Sequence, residues 1–205
     1  MEDDKVRFCK EKRMNDQDCS EAVAGQLMAE DTALHLFQIA ALMLGDEQEA
    51  VSLVEESVAK VETDPCAQGT LAYAEARTLL VKTAVQRMAG RYPEAFAVPS
   101  AQPADSSCLD PDLEASALTG EQIGAMVSGA GMREWLGRLA PALRAIFVLR
   151  AVAGQDGEQT AESLRQSGAR GAQAWRRDQV GAAYRQALCS LASCLMSAQT
   201  ALVPA

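Results

Sequence analysis

Three side chains late in the chain, Arg170, Gln173 and Arg177, could hydrogen-bond the edges of nucleic-acid bases. A guanidinium fork matches the acceptors of guanine, and a carboxamide matches adenine. At about 100° per residue on a helix, these three and Ala174 point one way, while Ala172, Trp175 and Ala183 point roughly the other. Arg165, Ser167 and Arg176 are placed to meet phosphates, which position a protein without reading sequence. Other chemistry is poorly served. His35 is the sole histidine, and Cys9, Cys19, Cys66, Cys108, Cys189 and Cys194 form no Cys-x-x-Cys pair. Metal sites and disulfide frameworks draw on closely spaced ligands, so buried or incidental thiols and no metal are expected. There is no glycine-rich phosphate loop and no pair of carboxylates on a shared face. No catalysis and no cofactor are expected.

The elements that would hold those arginines lie between Leu139 and Leu188 and read as three helices. Pro141 suits a first helical turn, where its missing N–H has no intrahelical partner, and Gly154 suits the residue just past the end. Leu143, Ile146, Phe147 and Arg150 recur between them at helical spacing. A short helix from Glu158 to Leu164 follows, then the turn Arg165-Gln166-Ser167, with Ser167 expected to cap the third helix. That outline is a helix-turn-helix, whose last helix enters the major groove.

The rest of the chain predicts an all-α protein of two small helical domains. Hydrophobic residues make up 48% and aromatics only 4%, which favours helical cores filled by small aliphatic side chains. Residues 1–19 are dense in charge and expected to be a flexible arm. Residues 20–91 carry three helices: one capped by Ser20 and running to Leu44, with a possible break near Asp31 and Thr32; one starting at Asp46 and Glu49 and ended by Asp64-Pro65; one from Thr70 to Ala89. In the second, Ala50, Leu53, Val54, Ser57, Val58 and Val61 form an apolar stripe. Residues 92–118, with Pro93, Pro99, Pro103 and Pro111, are expected to be a linker. The last domain, 119–205, begins with a short helix over 120–127 capped by Thr119.

The charge is segregated. The net value is −9, yet Met132 to Leu195 holds nine basic and five acidic residues. A basic C-terminal module on an acidic N-terminal one suggests DNA on one side and a protein on the other, with DNA affinity that falls steeply with salt. No apolar run is long enough to span a bilayer, and the first residues lack the layout of a secretory signal, so a cytoplasmic protein with no membrane contact is expected.

Three segments resemble a known family. Leu139-Ala140-Pro141-Ala142-Leu143-Arg144-Ala145-Ile146-Phe147-Val148-Leu149-Arg150 is similar to "L-P-x-x-x-R-x-V-F-x-L-R", with one extra residue between Leu and Pro. Thr160-Ala161-Glu162-Ser163-Leu164-Arg165-Gln166-Ser167 is similar to "I-A-E-x-L-G-x-S", and Leu44-Gly45-Asp46-Glu47-Gln48-Glu49-Ala50 to "L-G-D-x-x-x-A". All three belong to RNA polymerase sigma factors of the extracytoplasmic-function (sigma-70-like) type, in which a helical region two and a helix-turn-helix region four flank a flexible linker. The resemblance implies a transcription initiation protein that binds core RNA polymerase through its N-terminal domain and promoter DNA through its C-terminal one, with an anti-sigma protein as a further partner. It also places Leu53, Val54, Glu55 and Glu56 at or near the polymerase-facing helix.

The departures imply an alternative. The family's "A-E-D-L-V-Q-E" reads Ala50-Val51-Ser52-Leu53-Val54-Glu55-Glu56, losing an Asp and a Gln. The helix in the promoter-melting position, Arg77 to Arg91, lacks the aromatics on which unpaired bases stack, a contact worth about 1–3 kcal/mol per base. The "T-V-K-x-R" position reads Arg170-Gly171-Ala172-Gln173-Ala174, putting a glycine where an apolar side chain would pack. A degenerate sigma-like adaptor, or an anti-sigma-binding module without promoter-melting activity, is the second expectation.

Overall fold

A computed structural model of the chain describes residues 17–61, 69–99 and 130–200, with side chains over 31–61, 71–99 and 131–194. Among the described residues every regular element is helical. Helix α1 spans Gln17–Leu44, α2 Glu47–Ala59, α3 Gly69–Arg91, α4 Ala130–Arg138, α5 Pro141–Ala151, α6 Gly157–Gln166 and α7 Arg177–Thr200, with a 3₁₀ turn at Ala172–Ala174 before α7. The expected arm is described only from Gln17. Asp64-Pro65, the linker from residue 100 onward and the short helix over 120–127 lie outside the described residues.

Local sequence accounts for most of the helix ends. α1 runs through Ser20, Asp31 and Thr32 without a break, so Ser20 is interior to the helix and not its cap. Gly45, at φ +75°, closes α1 by donating its N–H to the Ala41 carbonyl at 2.8 Å, a conformation that favours glycine. Asp46 then caps α2, its carboxylate accepting the Glu49 N–H at 2.8 Å. Pro141 occupies the first turn of α5. α6 opens on a reciprocal box, since Asp156 accepts the Gln159 N–H at 2.8 Å and the Gln159 side chain accepts the Asp156 N–H at 2.9 Å.

The chain divides into two compact units, residues 1–35 and 36–205. Within the second, α3 packs against α5 and α6, so the described parts of the two expected domains meet directly. Leu36, Ile39 and Met43 of α1, Leu53 of α2, Leu80 and Val85 of α3, Ile146 and Phe147 of α5, Leu164 of α6 and Tyr184 of α7 belong to one buried cluster. Polar contacts reinforce it. Arg77 of α3 donates to the Ala153 carbonyl at 3.2 Å, and Gln86 donates to the Ser167 carbonyl at 2.7 Å.

The start of the expected linker is part of this core. Phe96 is fully buried, and the Trp175 indole N–H donates to its carbonyl at 2.8 Å. Pro93 and Pro99 thus bracket an anchored strap over 92–99 and not the beginning of a tether. The physical reason is size: bundles near the lower limit of about 70–80 residues gain little more than about 3–5 kcal/mol from a core of their own. Two such bundles gain apolar burial by sharing one.

Cysteine chemistry departs from expectation at one position. Cys189 is disulfide-bonded, whereas Cys194 is a free thiol. Among the described residues no helix is long and apolar enough to cross a membrane.

Candidate nucleic-acid and partner interfaces

The segment after α6 decides what the arginines can do, and it is not the expected third helix. Ser167 ends α6 and does not cap the next helix; its hydroxyl is buried, donates to the Leu164 carbonyl at 2.6 Å and accepts the Ala169 N–H at 3.2 Å. The chain then loops from Gly168 to Arg176, with Gly168 at φ +69° and Gly171 at φ +83°. Two left-handed residues three apart end any right-handed helix. α7 begins only at Arg177, with the Gln179 side chain accepting the Arg176 N–H at 2.9 Å. The turn is therefore far longer than the three residues expected, and its course is set by the strap. A Cβ on Gly171 would stand 2.9 Å from the Ala97 backbone, so only glycine lets loop and strap approach this closely.

This loop separates the expected DNA-binding residues. Arg165 is committed internally, bonding Glu158 at 2.9 Å, Glu162 at 2.6 Å and the Trp175 carbonyl at 3.1 Å. Glu158 and Glu162 hold its pKa above the ordinary value, and Arg165 holds Glu162 below the usual carboxylate range. Ser167 is inaccessible. Arg170, 82% exposed, lies 3.8 Å from Glu94 of the strap. Arg170 and Gln173 do not share a helical face with Arg177, because both precede α7. Gln173, Arg176 and Arg177 are exposed, and the Arg177 stem packs where a Cβ on Gly157 would approach it at 3.2 Å. Trp175 is buried as expected, though from the loop.

The formal charge of the segment from Asp156 to Asp178 is zero. Between Asp156 and Asp178 four arginines, Arg165, Arg170, Arg176 and Arg177, face four acids, Asp156, Glu158, Glu162 and Asp178. Duplex DNA binding that drew on no more than two cations of this segment would make log K fall against log salt with a slope of about −2. Fluorescence anisotropy of the full chain on a labelled duplex measures this slope; about −5 or steeper would mean that more cations reach the backbone.

On the N-terminal side, α2 turns its expected polymerase-facing residues in different directions. Leu53 is fully buried beside Ala50 and Ser57 and cannot touch a partner, because the residue that resembles a contact lies on the inward stripe of this helix. Val54 is half-buried, while Glu55 is exposed. Glu56 bonds Lys60 and Arg87, each at 2.6 Å, and Lys60 and then Arg87 lower its pKa. Val51 and Val58, 46% and 50% exposed, are the outward apolar groups of α2, although Val58 was expected inside. Val51 was missed; its spacing of seven from Val58, on either side of Glu55, was the available signal.

The arginines of α3 are also engaged, while Lys82 is exposed. Arg87 lies against Glu56 and Glu49, Arg91 bonds Glu49, and Arg77 lies 5.7 Å from the Tyr73 ring while donating to Ala153. Among the described residues no group of three or more His, Cys, Asp or Glu side chains could hold a metal ion. No protein-family model, curated protein or solved structure matches this chain.

Proposed function

We propose that this chain is a degenerate sigma-like helical adaptor, which works through protein contacts and neither melts promoter DNA nor catalyses a reaction. The observation that carries the reading is the contact of α3 with α5 and α6, in which Arg77 and Gln86 are bonded to carbonyls of the C-terminal half. A helix committed in this way is not free to lie along an unpaired strand, and its other arginines face Glu49 and Glu56. The partner is a sigma-binding protein, either core RNA polymerase or an anti-sigma protein, held on the outer face of α2 by Val51, Glu55 and Val58. Such a partner places the chain in the cytoplasm.

One observation favours the initiation reading, in which promoter DNA is bound as well: Arg170, Gln173, Arg176 and Arg177 are all exposed. Against it stand the zero formal charge of the segment from Asp156 to Asp178, Glu94 beside Arg170, and the loop between Arg170 and α7.

The double substitution Val51→Asp, Val58→Asp tests the adaptor reading. Both positions are outward, so the urea midpoint should hardly move, surface changes being usually within about 0.5 kcal/mol. Affinity for core polymerase or an anti-sigma protein, measured by interferometry, should fall at least about tenfold, or roughly 1.4 kcal/mol. Unchanged affinity in the double variant, or no binding to either protein, contradicts the proposal.

A further inference from the structure

Arg144 lies in the first half of α5, and its guanidinium reaches the ends of two other helices. Nη2 donates to the Gly137 carbonyl at 3.2 Å, in the last turn of α4, and Nη1 stands 3.5 Å from the Met43 carbonyl, in the last turn of α1. Helix C-termini favour a cation, so these contacts explain why a guanidinium is tolerated there. They do not satisfy it. Neither partner is a carboxylate, the second contact is long, and Nε is buried with no hydrogen-bond partner. Burial draws the Arg144 pKa below its ordinary value. Beside it, Arg133 and Glu47 pair at 2.9 Å and cancel each other's charge.

The Arg144 side chain lines a cavity of about 310 Å³, with Phe37, Leu42 and Leu136 among its apolar walls. That volume is at the lower end of the roughly 300–1,000 Å³ usual for small-molecule sites. We propose that this cavity binds a small amphiphilic monocarboxylate, its carboxylate on the Arg144 guanidinium and its hydrocarbon part against Phe37, Leu42 and Leu136. A guanidinium fork matches the two oxygens of a carboxylate. Arg133, Arg144 and Glu47 together leave one positive charge, which a monoanion neutralises; a phosphate dianion would leave a net negative charge between apolar walls.

The test is calorimetric titration of the full chain with octanoate, and with octanol as the uncharged control. One saturable equivalent of octanoate is expected, bound at least tenfold more tightly than octanol. Hydrogen exchange on the unsubstituted protein should show new protection at the end of α1 and along α4. Arg144→Lys keeps a cation at the two helix ends but removes the fork, and should weaken octanoate several-fold while leaving octanol unchanged. Equal affinity for octanoate and octanol, no saturable octanoate binding, or protection confined to other helices overturns the proposal, and none of these outcomes depends on the variant folding.

Discussion

Replacing Trp175 by Ala is expected to destabilise the protein by about 3–5 kcal/mol, the range for deleting a buried aromatic side chain. The indole is only 2% exposed and its N–H bonds the Phe96 carbonyl at 2.8 Å, so the substitution opens a void and removes that carbonyl's donor. A buried acceptor without its donor adds about 1–3 kcal/mol where water cannot reach it. The consequence is not local. Because Trp175 ties the loop before α7 to the strap after α3, its loss should lower the stability of both halves together. Urea unfolding followed by tryptophan fluorescence and by far-ultraviolet circular dichroism should give coincident transitions, before and after the substitution. Separate transitions would show that the halves fold independently, with the Trp175–Phe96 contact only an accessory.

The second large effect is expected at Gly171. Its φ of +83° costs an alanine roughly 1–2 kcal/mol in the left-handed region, and the new Cβ would also stand 2.9 Å from the Ala97 backbone. Backbone cannot give way as a flexible side chain can, so Gly171→Ala should destabilise by more than about 2 kcal/mol. Gly168 supplies an internal control. It has φ +69°, but a Cβ there meets nothing within 4 Å, so Gly168→Ala should incur the conformational term alone. The difference between the two variants measures the close approach of loop and strap. Combined with Trp175→Ala, Gly171→Ala should have less than its full effect, because both substitutions loosen the same contact. Equal effects of Gly168→Ala and Gly171→Ala would mean that the strap does not press on the loop.

Much of the secondary structure was legible because its signals are local. Asp46 with Glu49, Pro141, and Gly45 marked helix ends by their own hydrogen bonding or backbone preference, and the structure has helix ends at each. The joining of the halves was not legible, since it depends on which apolar surfaces find each other. Phe96 between Pro93 and Pro99 was a sign, as a tether has no use for a buried phenyl ring. The start of the last helix was misplaced because Ser167 reads locally as its N-cap, whereas Ser167 ends α6; Gly168 and Gly171, three apart, already spoke for a loop. Arg165 shows the same lesson in charge. Glu158 and Glu162, seven and three residues before it, could have been read as its partners from helical spacing alone. Leu53 was placed on the apolar stripe by its own periodicity and on the partner face by resemblance, and the periodicity prevailed.

The most direct measurement is reconstituted transcription with core RNA polymerase, the full chain and genomic DNA fragments, with permanganate footprinting for unpaired thymines. A chain whose α3 is occupied by its own C-terminal half should yield no promoter-specific transcript and no reactive thymines above core polymerase alone. Specific transcripts that start beside a melted segment would contradict the account.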